Sequence, residues 1–354
     1  MRRKPTIRDV AKKAGLSLST VSLVLNKKGY VSETTKQKVL GIIKELDYHP
    51  QPSARGLASS LSGNIGFILT DEHFSQSEPF YTRIFLGSEL EARKHNYYIL
   101  LTTVGRSVKQ SDNIPRFLFD NNVDGIIIAG KIGMSWIEYI RKKNIPLLLI
   151  DFVAPNVSSV TIDNKAGADL VMQHLLRGNH TKIGFIGGDI RHPSVQERYV
   201  QYRNMLLNAG IVPDKQWENV TQENTTMVDG YEAARKIFSR NDNRPTAIFA
   251  ANDQTAFGVY RTAAQLGLTI PHDLSVVGFD NIPEAATVRP GLTTVDQFIQ
   301  EMGVTATQIL IRLIKGEEVE SPIIRTPTQL RIRESCAPVG LRVVDTTGSV
   351  ADIR

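Results

Sequence analysis

A chain of 354 residues is too long for one hydrophobic core and calls for a small domain beside a larger, two-lobed one. Its single cysteine, Cys336, excludes an internal disulfide and a Cys-rich metal site, which fits a reducing compartment. The net charge of +6 is unevenly placed: 12 of the 42 Lys/Arg but only 4 of the 36 Asp/Glu lie in residues 1–62, so a head of +8 sits on a body of −2, and such a head favours a polyanion through counterion release.

In chain order, the first pattern is TIRDVAKKAGLSLSTVSLVLN, residues 6–26. Thr6 and Asp9 have the layout of a capping box, with Asp in place of the usual Glu or Gln. Ile7, Val10, Ala11 and Ala14 recur at helical spacing and form one apolar stripe, and Gly15 ends that helix. Ser17 is the natural N-cap of a second helix that buries Val21, Val24 and Leu25 and exposes Leu18, Ser19, Ser22 and Leu23. Two short helices joined by so tight a turn predict a helix-turn-helix, whose second helix enters a DNA major groove. A helical hairpin packed on another element has the same pattern. Ser32 caps a third helix, with Val39, Ile43 and Leu46 facing inward, so residues 1–50 read as one small all-α domain.

These residues carry a resemblance. The runs Thr6-Ile7-Arg8-Asp9-Val10-Ala11, Gly15-Leu16-Ser17, Thr20-Val21-Ser22, Val24-Leu25-Asn26, Val31-Ser32 and Leu46-Asp47-Tyr48 resemble the bacterial lactose-repressor/galactose-repressor (LacI/GalR) family, and further matches run through to Arg333. The resemblance implies a homodimeric transcription regulator on a pseudo-palindromic operator, with affinity set by a small molecule bound between two α/β lobes. It implies base reading by Leu18, Ser19 and Leu23, and phosphate contacts from Thr6, Ser17, Thr20, Ser22, Asn26 and Ser32. Phosphate contacts fix register, whereas base contacts carry the sequence information. Many relatives have arginine where this chain has Leu23. Arginine forks onto guanine O6 and N7; leucine meets only a thymine methyl, so weaker guanine dependence is expected.

Residues 51–62 change to Pro, Ser and Gly punctuation, the composition of a linker. Residues 53–58 still have room for about two helical turns, marginal in isolation because short helices nucleate poorly and Gly56 weakens this one. The resemblance makes this a hinge helix that folds against its dimer mate in the minor groove, with Ala54, Arg55 and Leu57 at the DNA and Leu57 as an unstacking wedge. Gln51 and Pro52 depart from the family's commoner residues.

From residue 63 to 340, short apolar runs alternate with amphipathic stretches. Strands are expected at 65–69, 98–102, 125–129, 146–150, 183–186, 247–250 and 275–279, all read as buried. Helices are expected near 82–94, 107–120, 134–143, 165–177, 195–209, 228–240 and 254–266, and residues 292–335 should cross back to finish both lobes. Repeated βα units predict two parallel sheets of about four to six strands, with a ligand cleft between strand ends, an architecture that resembles the periplasmic sugar-binding fold. Residues 341–354 are a tail, and residues 336–354 have no leucine heptad, so the four-chain assembly some relatives build is not expected.

No dinucleotide fingerprint, Walker A sequence, G-x-S-x-G elbow or H-E-x-x-H motif is present, and the seven histidines lack metal-ligand spacing. The chain therefore reads as a binding protein without cofactor, not an enzyme. Its basic N-terminus is not followed by an apolar run of signal-peptide length, and no stretch reaches bilayer-spanning length, so a cytoplasmic protein is expected. Asp280 and Asn252 follow strand ends and Arg198 lies early in the helix after the strand at 183–186, and a carboxylate, an amide and a guanidinium suit the vicinal hydroxyls of a sugar. The resemblance places the effector on those three, with Phe80 and Tyr81 as a cleft wall and Asp151 and Ser194 as further contacts. Competing structural roles are an N-cap at Asp253, a pair between Arg198 and Asp163, and core positions for Phe80 and Tyr81. Thr225 stands where many relatives stack an aromatic on the ligand, so no specific sugar is implied. A purine or a phosphoprotein partner, as some relatives use, is the alternative. Ligand as inducer and ligand as corepressor are both open.

Overall fold

The computed structural model describes residues 5–25, 29–48, 61–71, 79–105, 107–108, 114–220, 225–239, 243–319 and 322–340. The head holds α1 (Ile7–Ala14), α2 (Leu18–Leu25) and α3 (Glu33–Glu45). Their shared core is Val10, Ala11, Ala14, Val21, Val24, Val39, Ile42 and Tyr48. Spacing alone selected Ile43 as the inward residue of α3; Ile42 is the more buried, and Ile43 packs at the edge of the same core. The hinge residues Ala54, Arg55 and Leu57, and Asn26 after α2, lie outside the described residues.

The first lobe comprises β1 (Asn64–Thr70), α4 (Pro79–Lys94), β2 (Tyr98–Val104), α5 (Arg116–Phe119), β3 (Gly125–Ala129), α6 (Met134–Lys142), β4 (Leu147–Ile150) and β5 (Ser158–Ile162). The chain then enters the second lobe through α7 (Asn164–Arg177), followed by β6 (Ile183–Ile186), α8 (Pro193–Asn208), β7 (Glu218–Asn219) and α9 (Met227–Phe238). That lobe continues with β8 (Ala247–Ala250), α10 (Asp253–Gln265), β9 (Ser275–Asp280), α11 (Glu284–Thr287) and β10 (Thr293–Asp296). A second crossing brings α12 (Ile299–Ile314) back to pack on α4, β3 and β4. β11 (Ile323–Thr326) then joins the first sheet and β12 (Gln329–Arg331) the second, so the tail finishes both lobes as expected.

Each sheet has six strands, in the orders β11-β5-β4-β3-β1-β2 and β12-β10-β9-β8-β6-β7. All neighbours pair parallel except β10 with β12. β3, β4, β6 and β8 are buried on both faces, which is why their sequences are unbroken apolar runs. β2 corrects the expectation of a buried strand: it pairs only with β1 at the sheet edge and leaves Tyr98 and Leu101 exposed. The helix expected over 107–120 is seen, among the described residues, only as Arg116–Phe119. β5 and β7 were not anticipated. Where α4 and α12 cross, Gly87 and Gly303 bring the backbones so close that a Cβ on either would overlap a carbonyl oxygen of the other helix.

At the lobe boundary the crossing segments are tied together: the Asp163 amide donates to the Thr326 carbonyl at 3.1 Å. The parallel topology points the C-terminal ends of both sheets at this boundary, and polar residues gather there.

Candidate functional site

In the head, the capping box forms as read. Thr6 Oγ1 and the Thr6 amide donate to Asp9 Oδ2 at 2.6 and 2.7 Å, and the Asp9 amide donates back to Thr6 Oγ1. Gly15 takes φ 64° and its amide closes α1 on Ala11 and Lys12. Ser17 Oγ accepts from the Thr20 amide at 3.1 Å, which caps α2. With Val21 and Val24 in the core, α2 turns outward Leu18 and Leu23, at 46% and 40% exposure, with Ser19 beside them and Ser22 half-buried. The first and last turns of this helix carry no charged residue. Ser32 caps α3 through the Thr35 amide. A serine whose oxygen accepts from a helix N-terminal amide still has its hydroxyl proton to donate to a phosphate oxygen.

In the body, α8 organises the boundary. Ser194 and Arg198 are four residues apart and so lie on one helix face. Ser194 Oγ donates at 3.0 Å to Asp151 Oδ1, on the loop that leaves β4 in the other lobe. Tyr81, in the first turn of α4, donates its hydroxyl to Asp151 Oδ2 at 3.4 Å. Asp151 is held at φ 56° and is largely buried. Phe80 packs edge-on against Tyr81 at 5.0 Å between ring centres and borders the core. The core reading of this aromatic pair holds, with Tyr81 buried and Phe80 packed against the same core.

One turn further on, Arg198 is buried. Its Nε donates to Asn164 Oδ1 at 2.8 Å and its Nη1 to the Ala251 carbonyl at 2.6 Å. The guanidinium lies 3.7 Å over the Phe279 ring, and Nη1 stands 4.0 Å from Asp280 Oδ1. Burial pulls its pKa down; Asp280 first, then Asp151, Glu197 and Asp253, push it back up. A guanidinium keeps its proton in such a setting, so Arg198 is a fixed cation. The alternative pair with Asp163 does not form: Asp163 caps α7 through the Ala166 amide.

Asp280 closes β9 at φ 121°, a conformation that side chains rarely adopt. Gln297 Nε2, on the segment that crosses between lobes, donates to Asp280 Oδ1. The remaining amide oxygen, Gln297 Oε1, is buried and among the described residues has no hydrogen-bond partner.

The helix cap falls on Asn252 and not on Asp253, where the sequence reading put it. Asn252 is the N-cap of α10: its Oδ1 accepts from the Thr255 amide at 2.8 Å, and its Nδ2 donates to the Thr225 carbonyl at 3.0 Å. Its amide is thereby committed to holding the Thr225 segment. Asp253, expected as the cap, is buried instead, accepting from the Ile282 amide at 2.9 Å and from Thr294 Oγ1 at 2.5 Å. Burial pushes its carboxyl up to about 7, against the pull of the Thr294 and Ile282 hydrogen bonds. Gly278 makes room for it, since a Cβ there would sit 2.2 Å from Asp253 Oδ1. Asp253 thus holds the turn that presents Asp280. Sequence reasoning missed this role, together with Asn164 and Gln297, which orient Arg198 and Asp280. The usable signal was an amide next to a lobe crossing, legible only once the crossings are located.

Among the described residues no group of three or more His, Cys, Asp or Glu could hold a metal ion. Nor is any helix among them long and apolar enough to cross a membrane.

Comparison with known proteins agrees with both halves of this arrangement. Residues 6–51 match the profile of bacterial regulatory proteins of the lacI family, and residues 172–336 that of a periplasmic binding protein-like domain. The ribose operon repressor of Halalkalibacterium halodurans is 34% identical over 333 residues, covering 93% of this chain and 96% of that protein. A crystal structure of the Lac repressor dimer bound to operator and the anti-inducer ONPF superposes with a TM-score of 0.81 at 26% identity, over 95% of this chain and 100% of that one. The transcriptional regulator CelR in complex with cellobiose matches with a TM-score of 0.69 at 28% identity, over 94% and 99% of the two chains. The chain belongs to the lacI family of bacterial transcriptional regulators: a helix-turn-helix head on a two-lobed, periplasmic-binding-protein-like body.

Proposed function

We propose that the protein is a homodimeric repressor that releases or seizes a pseudo-palindromic operator according to whether a sugar occupies the cleft between its lobes. One observation carries this reading. A single face of α8 meets a carboxylate of the first lobe through Ser194–Asp151 and the strand-end acid of the second through Arg198–Asp280. A polyol lying among these groups is held by both lobes at once, so its binding free energy depends on the angle between them. That differential is what linkage requires of an allosteric ligand. Relatives named for ribose and bound to cellobiose support a sugar as the occupant.

In this reading Arg198, Asp280, Asp151, Ser194, Tyr81 and Phe80 face the ligand, and Asn252 acts through the Thr225 segment that it anchors. Leu18, Ser19 and Leu23 read bases, while Thr6, Ser17, Thr20, Ser22, Asn26 and Ser32 meet phosphates. Ala54, Arg55 and Leu57 enter the minor groove when DNA and the partner subunit hold the 51–62 segment. The site of action is the cytoplasm, where the operator is. Residues 1–50, 51–62, 63–340 and 341–354 are then the reading head, the hinge, the sensing and dimerising body, and a tail. A thermal-shift screen of sugars, sugar phosphates and nucleobases, followed by operator binding with each hit, tests the proposal. A sugar that raises the melting temperature and changes operator affinity is the expected result. A nucleobase that does so while no sugar does would replace it.

A further inference from the structure

A cavity of about 350 Å³ lies between α7 and the segment 328–332, which contains the edge strand β12, and no residue of the lobe-boundary site lines it. On α7, Leu170, Gln173, His174 and Arg177 recur at helical spacing and share one face. On the strand side, Thr328, Leu330 and Ile332 alternate and so share the face that meets the helix. Leu170 and Leu330 are half-buried and Ile332 is 66% exposed, which makes the floor and the lip apolar.

The polar groups of this cavity are unspent. Other arginines of the same lobe edge are engaged: Arg325 with Glu197, Arg331 with Asp296, and Arg333 with Asn281 and the Leu292 carbonyl. The Arg177 side chain, among the described residues, has no hydrogen-bond or ion-pair partner. Its place in the last turn complements the helix dipole, a role that leaves its planar set of donors free. The His174 ring, one turn back, also has no partner among the described residues, and burial pulls its pKa down, so it is the neutral imidazole at neutral pH. Thr328 Oγ1 is buried with no hydrogen-bond partner among the described residues. A buried hydroxyl left unmatched is costly, and an occupant that brings an acceptor removes that cost.

We propose that this cavity is a second small-molecule site, for a monocarboxylate with a compact apolar body. One fixed guanidinium matches one carboxylate in a two-pronged hydrogen bond. With His174 neutral, a phosphate dianion would find only half its charge met. The Thr328 hydroxyl and the Gln173 amide supply further donors, and the apolar body covers Leu170, Leu330 and Ile332. The volume lies at the lower end of what small-molecule sites have. Because α7 opens with Asn164, which holds Arg198, this site and the boundary site share a helix without sharing a residue. The competing occupant is the chain's own tail, since the Val339 amide donates to the Gly178 carbonyl at 2.8 Å, next to Arg177, and residues 341–354 follow.

The test uses the full-length protein and two carboxylates with their neutral amides: phenylacetate with phenylacetamide, and 4-methylpentanoate with 4-methylpentanamide, titrated by ligand-observed NMR. Each carboxylate should bind roughly 10-fold or more tightly than its amide, the size of one charge-assisted hydrogen bond. Arg177→Gln, at an exposed position, should abolish that advantage and leave the melting temperature unchanged. Arg116→Gln, at an exposed arginine on α5 of the first lobe, should leave carboxylate binding as it is. Failure of both carboxylates to bind overturns the proposal, as does an amide that binds equally well. Binding indifferent to Arg177→Gln, or weakened as much by Arg116→Gln, also overturns it, because the attraction is then not local to this cavity. Binding that appears only after residues 341–354 are removed makes the tail the occupant and overturns it too. The sugar reading of the cleft stands or falls separately from all of these results.

Discussion

Replacing Arg198 with methionine tests the boundary site at its centre. The substitution preserves an unbranched chain against Phe279 but removes the guanidinium, its hydrogen bonds to Asn164 and the Ala251 carbonyl, and the cation facing Asp280. Removing one partner of a buried pair costs about 3–5 kcal/mol, since the other charge stays behind without compensation. Asp280 keeps its hydrogen bond from Gln297 and some solvent access, so the lower end applies. The expected loss is about 3 kcal/mol, measured by urea denaturation. Asp280→Asn in the same chain removes the stranded charge, so the double variant should regain about 1 kcal/mol or more relative to additivity. A single variant that loses less than about 1 kcal/mol, or a strictly additive cycle, would refute the view that Arg198 and Asp280 act as one electrostatic unit.

Three further outcomes follow from local geometry. In Gly87→Ala, the new Cβ would sit 2.0 Å from the Gln300 carbonyl oxygen, forcing α4 and α12 apart. Overpacking of that kind costs about 1–3 kcal/mol, and a melting temperature within error of the parent would contradict it. For Asp253, the unfolded acid ionises near 3.8 whereas the folded one keeps its proton up to about 7. The unfolded state therefore binds fewer protons over that window, and this residue makes stability fall as pH rises, by up to roughly 1.4 kcal/mol per unit. Asp253→Asn should remove that component of the slope between pH 5 and 7, and denaturation curves with an unaltered slope would show the assignment to be wrong. In the head, Leu23→Arg should add a guanine preference at one operator position, read by binding to duplexes substituted there; an unchanged base preference counts against α2 as the reading helix.

Much of the architecture was legible because parallel strands buried on both faces leave no choice of residue. β3, β6 and β8 occupy the residues that their apolar runs marked. β5 was missed since Ser158, Ser159 and Thr161 interrupt its apolar character; its burial comes from neighbours β4 and β11, the latter arriving from the far end of the chain. The edge position of β2 depends on strand order, which no local pattern encodes. The head was legible in its caps, because Thr6, Gly15, Ser17 and Ser32 act within three or four residues of themselves.

The boundary site was half legible. Arg198 and Asp280 advertise themselves as charges beside apolar strands. The placement of the cap on Asn252 did not, because either residue can cap a helix. The choice was settled by Gly278, which opens space for a carboxylate, and by Ile282 and Thr294, which hydrogen-bond it. Asn164 and Gln297 contribute through contacts made only when the lobes are assembled.

The claim on which the rest depends is that occupancy of the boundary site and grip on DNA are one equilibrium. The most direct measurement is operator affinity by fluorescence anisotropy, with and without a saturating neutral sugar, for the parent chain and for Asp280→Asn. The account predicts that the sugar changes the parent's operator affinity by about 5- to 150-fold, while Asp280→Asn still binds the duplex but no longer responds. An operator affinity indifferent to a sugar that demonstrably fills the cleft, or a protein that ignores DNA even at low salt, would contradict it.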